Sequence, residues 1–66
     1  MQIFLNGKTR ELSSDTTVAG LMALLELRTE IVAVEVNEGL VARSRREEHA
    51  LCEGDRVEIV TLVGGG

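Results

Sequence analysis

The last four residues, Val63-Gly64-Gly65-Gly66, are the part of the sequence best suited to chemistry. Three consecutive glycines give up every side chain that could anchor the segment, so it is expected to be flexible, extended and no wider than bare backbone. Four residues reach about 13–14 Å beyond a folded body, far enough to enter a narrow site in another protein and present the Gly66 carboxylate there. A carboxylate is a poor electrophile because its charge is delocalised. Acyl chemistry at Gly66 therefore needs prior conversion to a good leaving group, which ATP can supply. The glycines are not a phosphate-binding loop, since no helix N-terminus follows them to complete an anion site. Activation would fall to a separate enzyme. A frayed end or a cloning remnant is the plain alternative for such a tail.

The other reactive side chains offer less. Nucleophilic catalysis needs a Ser or Cys beside a His held by a third group, and His49 with Cys52 is the one combination available. Nothing near them in sequence fixes their geometry, and a metal site wants three or four convergent ligands. A half-buried thiol and an exposed imidazole is the expectation. Glu35, Glu38, Glu47, Glu48 and Glu58 are spread along strands and turns as a solubilising surface would be. Arg43, Arg45 and Arg46 run straight into Glu47 and Glu48, which suits a solvated connection or a partner contact.

The body that carries the tail must be small. With 66 residues, one Cys and one His, the chain has neither a disulfide framework nor a metal to reinforce it. Its stability must come from Leu, Val and Ile, which make up 20 of the 66 residues and argue against disorder. Ile3 and Leu5 alternate with Gln2 and Phe4, as in a strand, and Asn6-Gly7 tolerates the positive φ of a tight hairpin returning through Lys8 to Leu12. After a polar break at Ser13 to Thr16, Thr17 stands as an N-cap. Val18, Leu21, Met22 and Leu25 then recur at helical spacing, predicting one amphipathic helix ending near Leu27 or Arg28. Gly20 weakens that helix and leaves room for a close backbone approach. Val32, Val34 and Val36 form a third strand, Asn37-Glu38-Gly39 a turn, and Leu40 to Ala42 a short return strand. Leu51 tucks inward, and Arg56 to Leu62 is the last strand, with Val57 and Ile59 facing in.

One helix can cover only one face of a sheet, so these elements predict an α+β fold, a small mixed sheet wrapped around the helix with the last strand beside the first. This is the β-grasp arrangement, with residues 1–63 as the domain and 64–66 as the tail. Phe4, Val60 and Leu62 then point away from the helix on neighbouring strands. They predict an apolar docking patch at the root of the tail, with Val63, Gly64 and Gly65 as the lead-in; three scattered surface hydrophobes are the alternative. Eleven acids against seven bases, a net charge of -4 and the absence of Tyr and Trp argue against nucleic-acid binding. No apolar run approaches the roughly 20 residues of a membrane span, and the opening lacks a secretory pattern, so a cytoplasmic protein is expected.

The order and spacing of these features carry a resemblance. Met1-Gln2-Ile3-Phe4-Leu5-Asn6-Gly7, Thr17-Val18 with Leu21, Val34-Glu35-Val36-Asn37, Val41 with Arg43, Gly54-Asp55-Arg56-Val57-Glu58-Ile59-Val60 and the final Gly65-Gly66 together resemble the ThiS family of bacterial sulfur carriers, within the ubiquitin-like β-grasp superfamily. The chain departs from the family pattern at Ala42, where Pro is common, and at Arg46, where an aromatic is common. The resemblance implies a substrate protein rather than an enzyme. A ThiF-like adenylyltransferase would use ATP and magnesium, neither bound by this chain, to form an acyl-adenylate on Gly66. A cysteine-derived persulfide would replace AMP to leave a thiocarboxylate, and a ThiG-like thiazole synthase would receive the sulfur for thiamine biosynthesis. Two relatives of this reading are a carrier for molybdopterin or another sulfur pathway and a ubiquitin-like modifier joined to lysine; a passive binding module is the third alternative.

Overall fold

The computed structural model describes residues 1–28 and 32–61. The chain runs through β1 (Gln2–Leu5), β2 (Lys8–Glu11), α1 (Val18–Leu24), β3 (Val32–Val36), β4 (Gly39–Leu40), a 3-10 turn at Arg43–Arg45 and β5 (Arg56–Thr61). The strands form one mixed sheet in the order β2-β1-β5-β3-β4. β1 and β5 are parallel, with Phe4 opposite Arg56 and Leu5 opposite Val57, and β5 is antiparallel to β3 from Val36↔Val57 to Val32↔Thr61. First and last strands thus lie side by side at the centre, as the β-grasp reading requires.

Strand alternation sends every second side chain to the helix face. Ile3, Val34 and Val57 are fully buried there, Val32 and Val36 nearly so, and α1 covers them with Val18, Leu21 and Met22. Leu12, Val41 and Leu51 close the ends of this cluster, while Leu5, Leu25 and Ile59 pack at its margin. The helix starts where the sequence predicts: the Thr17 hydroxyl accepts the Gly20 amide at 3.0 Å, satisfying one of the unpaired donors of the first turn.

The helix ends earlier than its apolar period suggests. Leu25 is already the cap, Glu26 adopts φ 57°, and the Glu26 and Leu27 amides donate back to the Ala23 and Met22 carbonyls at 3.1 and 3.0 Å. This is a Schellman closure, and it escapes a sequence reading because Glu rather than Gly occupies its left-handed position. Gly20 serves no close backbone approach either. A Cβ there would meet only the Thr17 and Thr16 side chains, at 3.4 and 3.5 Å.

Two further expectations change in the second half. The return strand is Gly39–Leu40 rather than Leu40 to Ala42; the buried Val41 adds one more bond, from its amide to the Val34 carbonyl at 2.8 Å. The connection from Arg43 to His49 is not simply solvated, because Arg46 is 5% exposed. Its Nη2 donates to the Val32 carbonyl at 3.0 Å and its own carbonyl accepts the Ala19 amide, tying α1 to β3. A long aliphatic stem capped by a planar donor lets a charged residue occupy this buried position. No helix among the described residues is long and apolar enough to cross a membrane.

Candidate functional site

In sequence the glycine tail follows β5, and that strand is paired unequally on its two sides. On one side β5 has the five-residue ladder to β3. On the other, β1 pairs with it at Phe4↔Arg56 and Leu5↔Val57 before the chain turns at Asn6-Gly7, where φ is 49° and 85°. The Asn6 amide donates to the Val57 carbonyl at 2.9 Å, its Oδ1 accepts the Ile59 amide at 2.9 Å, and its Nδ2 lies 3.5 Å from the Ile59 carbonyl. The turn between β3 and β4 repeats this at the opposite end of β5. Asn37, with φ 52°, donates its amide to the Arg56 carbonyl at 2.7 Å, accepts the Arg56 amide on Oδ1 at 2.9 Å and donates from Nδ2 to Asp55 Oδ1 at 3.0 Å.

The two asparagines are turn residues to a sequence reading, and their side-chain role is missed. The one available signal was the same residue type opening both hairpin turns. Left-handed φ admits Gly, Asn and Asp most readily, and only Asn among these brings both a donor and an acceptor.

Phe4 and Val60 both lie on the face away from α1, 39% and 52% exposed. The register separates them. Phe4 stands opposite Arg56 and Val60 is four residues further along β5, about 13 Å at ordinary strand rise. Leu62, Val63, Gly64, Gly65 and Gly66 lie outside the described residues. Between Phe4 and Val60 the outer face is charged: Glu58 sits directly across from Glu35, and these two with Glu38 and Arg56 line a shallow depression of about 240 Å³. Three glutamates that look scattered in sequence are therefore gathered in space, which becomes visible only once the β3–β5 register is known.

His49 lines a separate open depression with Arg45 and Glu48. Cys52 is an exposed free thiol in a turn closed by Asp55, whose Oδ2 accepts the Cys52 amide at 2.8 Å; the half-buried thiol expected from sequence is instead at the surface. No group of three or more His, Cys, Asp or Glu side chains able to hold a metal occurs among the described residues. Among the described residues the one group with a displaced pKa is structural: burial, and secondarily the Arg43 charge, lowers Arg46 from the ordinary arginine value.

Comparison with known proteins matches residues 3–66 to the model of the ThiS family. The chain is 43% identical over 63 residues to the sulfur carrier protein ThiS of Bacillus subtilis, covering 94% of this chain and 96% of that one. It is 38% identical over 66 residues to the thiazole synthase of Paramagnetospirillum magneticum, covering all of this chain but 20% of that protein. Among solved structures, the thiamine biosynthesis protein ThiS of Geobacter metallireducens superposes with a TM-score of 0.86 at 29% identity, each chain covered completely. A family match along almost the whole length, a relative of the same size and a shared ubiquitin-like β-grasp lead to one conclusion: this chain belongs to the ThiS family of sulfur carriers.

Proposed function

We infer that this chain is a sulfur carrier protein of thiamine biosynthesis, a substrate passed between enzymes and not itself a catalyst. The observation that carries the reading is the 43% identity to a ThiS sulfur carrier over nearly the full length of both chains. The fold agrees with it, because a carrier needs a rigid body that others can hold and a strand that leads directly into its reactive end.

In this reading the working group is the Gly66 carboxylate. Its oxygen attacks the α-phosphorus of ATP on an adenylyltransferase and expels pyrophosphate, with magnesium and nucleotide both held by that enzyme. The outer sulfur of a cysteine-derived persulfide then attacks the acyl carbon and expels AMP. A thiol reduces the resulting acyl disulfide and leaves a thiocarboxylate. Carriage on a protein keeps this nucleophilic sulfur out of solution and delivers it at high effective concentration. Gly64 and Gly65 provide the narrow approach, and Val63, Leu62, Val60 and Phe4 contribute apolar contact to the enzymes that grip the body. The similarity of this whole chain to one fifth of a thiazole synthase supports such a synthase as the receiving partner.

The test is direct. Incubation with ATP, magnesium, an activating enzyme of this class and a persulfide source should raise the intact mass by the replacement of one oxygen with one sulfur. Deletion of Gly66 should abolish that change while leaving the melting temperature where it was. A variant lacking Gly66 that still gained sulfur would refute the terminal-carboxylate chemistry. Appearance of the chain on larger, reduction-resistant species would instead make it a protein modifier.

A further inference from the structure

We propose that Asn6 is a positioning residue for the tail: its side-chain amide serves as the last rung between β1 and β5, and so fixes the outgoing end of the strand from which the tail departs. The proposal rests on the sulfur-carrier reading, in which the end of the chain is the working part.

The argument begins with the shortness of the β1–β5 ladder. In a strand, successive residues turn their N–H and C=O alternately to the two neighbours. On the β1 side, β5 therefore needs partners at Val57, then Ile59, then Thr61. β1 stops at Leu5, and its next residue must enter the turn, yet Asn6 meets two of these positions. Its backbone amide serves the Val57 carbonyl, and its side chain faces both polar groups of Ile59, accepting the amide at 2.9 Å and bringing Nδ2 to 3.5 Å from the carbonyl. The side-chain amide thus reproduces what one more strand residue would have offered. Gly would suit the φ of 49° as well but has nothing to reach with. Asp could accept from Ile59, but it would set a carboxylate against the Ile59 carbonyl.

Position along β5 gives this contact its meaning. Thr61, the last residue of β5, pairs on the other side with Val32, the first residue of β3, so the outgoing end is held by the beginning of one ladder and by Asn6. Asn37 makes the equivalent grip at Arg56, the incoming end of the same strand. The molecule thereby contains its own control: two asparagines, in the same kind of turn, on the same strand, three residues apart in their point of attachment. Loss of either should cost stability to a similar degree. Only loss of Asn6 should loosen the end that leads to Gly66.

Asn6→Gly and Asn37→Gly remove the side chains while keeping left-handed backbone comfortable. Asn6→Gly should speed amide exchange at Ile59 about fivefold, the loss of one ordinary hydrogen bond, and raise the KM for ATP-dependent sulfur loading by a similar factor with kcat unchanged. Asn37→Gly should speed exchange at Arg56 and leave the loading KM alone. Asn6→Asp, which retains the acceptor, should fall between wild type and Asn6→Gly. Equal KM increases for both Gly variants, or an unchanged Ile59 amide in Asn6→Gly, would overturn the proposal. Failure of the wild-type protein to load sulfur at all would refute the carrier reading instead, and the exchange measurement would still decide whether Asn6 secures the strand end.

Discussion

The two faces of the sheet are built from the same strands and follow different rules. On the face toward α1, Ile3, Val34 and Val57 are fully buried, and each is apolar. One residue along from each, the outer face carries Phe4, Glu35 and Glu58, with Leu40 and Val60 beside them at 71% and 52% exposure. Like charges directly opposite one another weaken a sheet, and Glu35 across from Glu58 is such a pair. Exposed apolar groups add nothing to stability either. The inner face is the solution to folding with few residues; the outer face holds features that folding does not need and that suit the proposed docking of enzymes on the body.

The largest test of this contrast is a pair of substitutions on neighbouring elements. Ile3→Ala should cost about 2–5 kcal/mol, enough to leave a domain of this size largely unfolded at 37 °C by circular dichroism. Val60→Asp should barely move the melting temperature and should weaken binding to the activating enzyme, measured by calorimetry. Equal loss of stability in both would erase the distinction between the faces.

Arg46 sharpens the comparison from the inside, being a charged residue placed among the buried ones. Arg46→Met keeps the stem but takes the Nη2 donor from the Val32 carbonyl, and a loss of about 1–3 kcal/mol in urea unfolding is expected. A neutral result would mean that the stem alone does the packing. The smallest effect belongs to the outer face. Glu58→Lys, by turning repulsion from Glu35 into attraction, should stabilise the fold by about 0.2–1 kcal/mol, and less at high salt. Destabilisation by this change would contradict the reading of that pair as a liability.

How much of this was legible in the sequence depended on how local the determinant was. The Val18, Leu21, Met22 stripe, the Thr17 cap and the alternation at Val32, Val34 and Val36 are set by neighbours along the chain, and each appears where its spacing predicts. Signals that combine distant segments were not readable. The burial of Arg46 depends on α1 and β3 arriving around it, and the gathering of Glu35, Glu38 and Glu58 depends on register. The Asn6 and Asn37 grips join turns to a strand 53 and 19 residues away. The early end of α1 is a local feature that failed for another reason, since Glu26 occupies a position where Gly is the usual signal. At the candidate site, Phe4 and Val60 were placed on the correct face, while the distance between them needed the β1–β5 pairing. Gly66 itself was singled out by composition and chemistry alone.

The central claim is that the terminal carboxylate carries sulfur while the folded body serves as its handle. Intact-mass and peptide mapping of the protein isolated from cells making thiamine tests it most directly. The account predicts a fraction in which sulfur has replaced one oxygen, confined to the peptide that ends at Gly66. A chain whose only sulfur gain is an added atom on Cys52, with the carboxylate at Gly66 always unmodified, would contradict it.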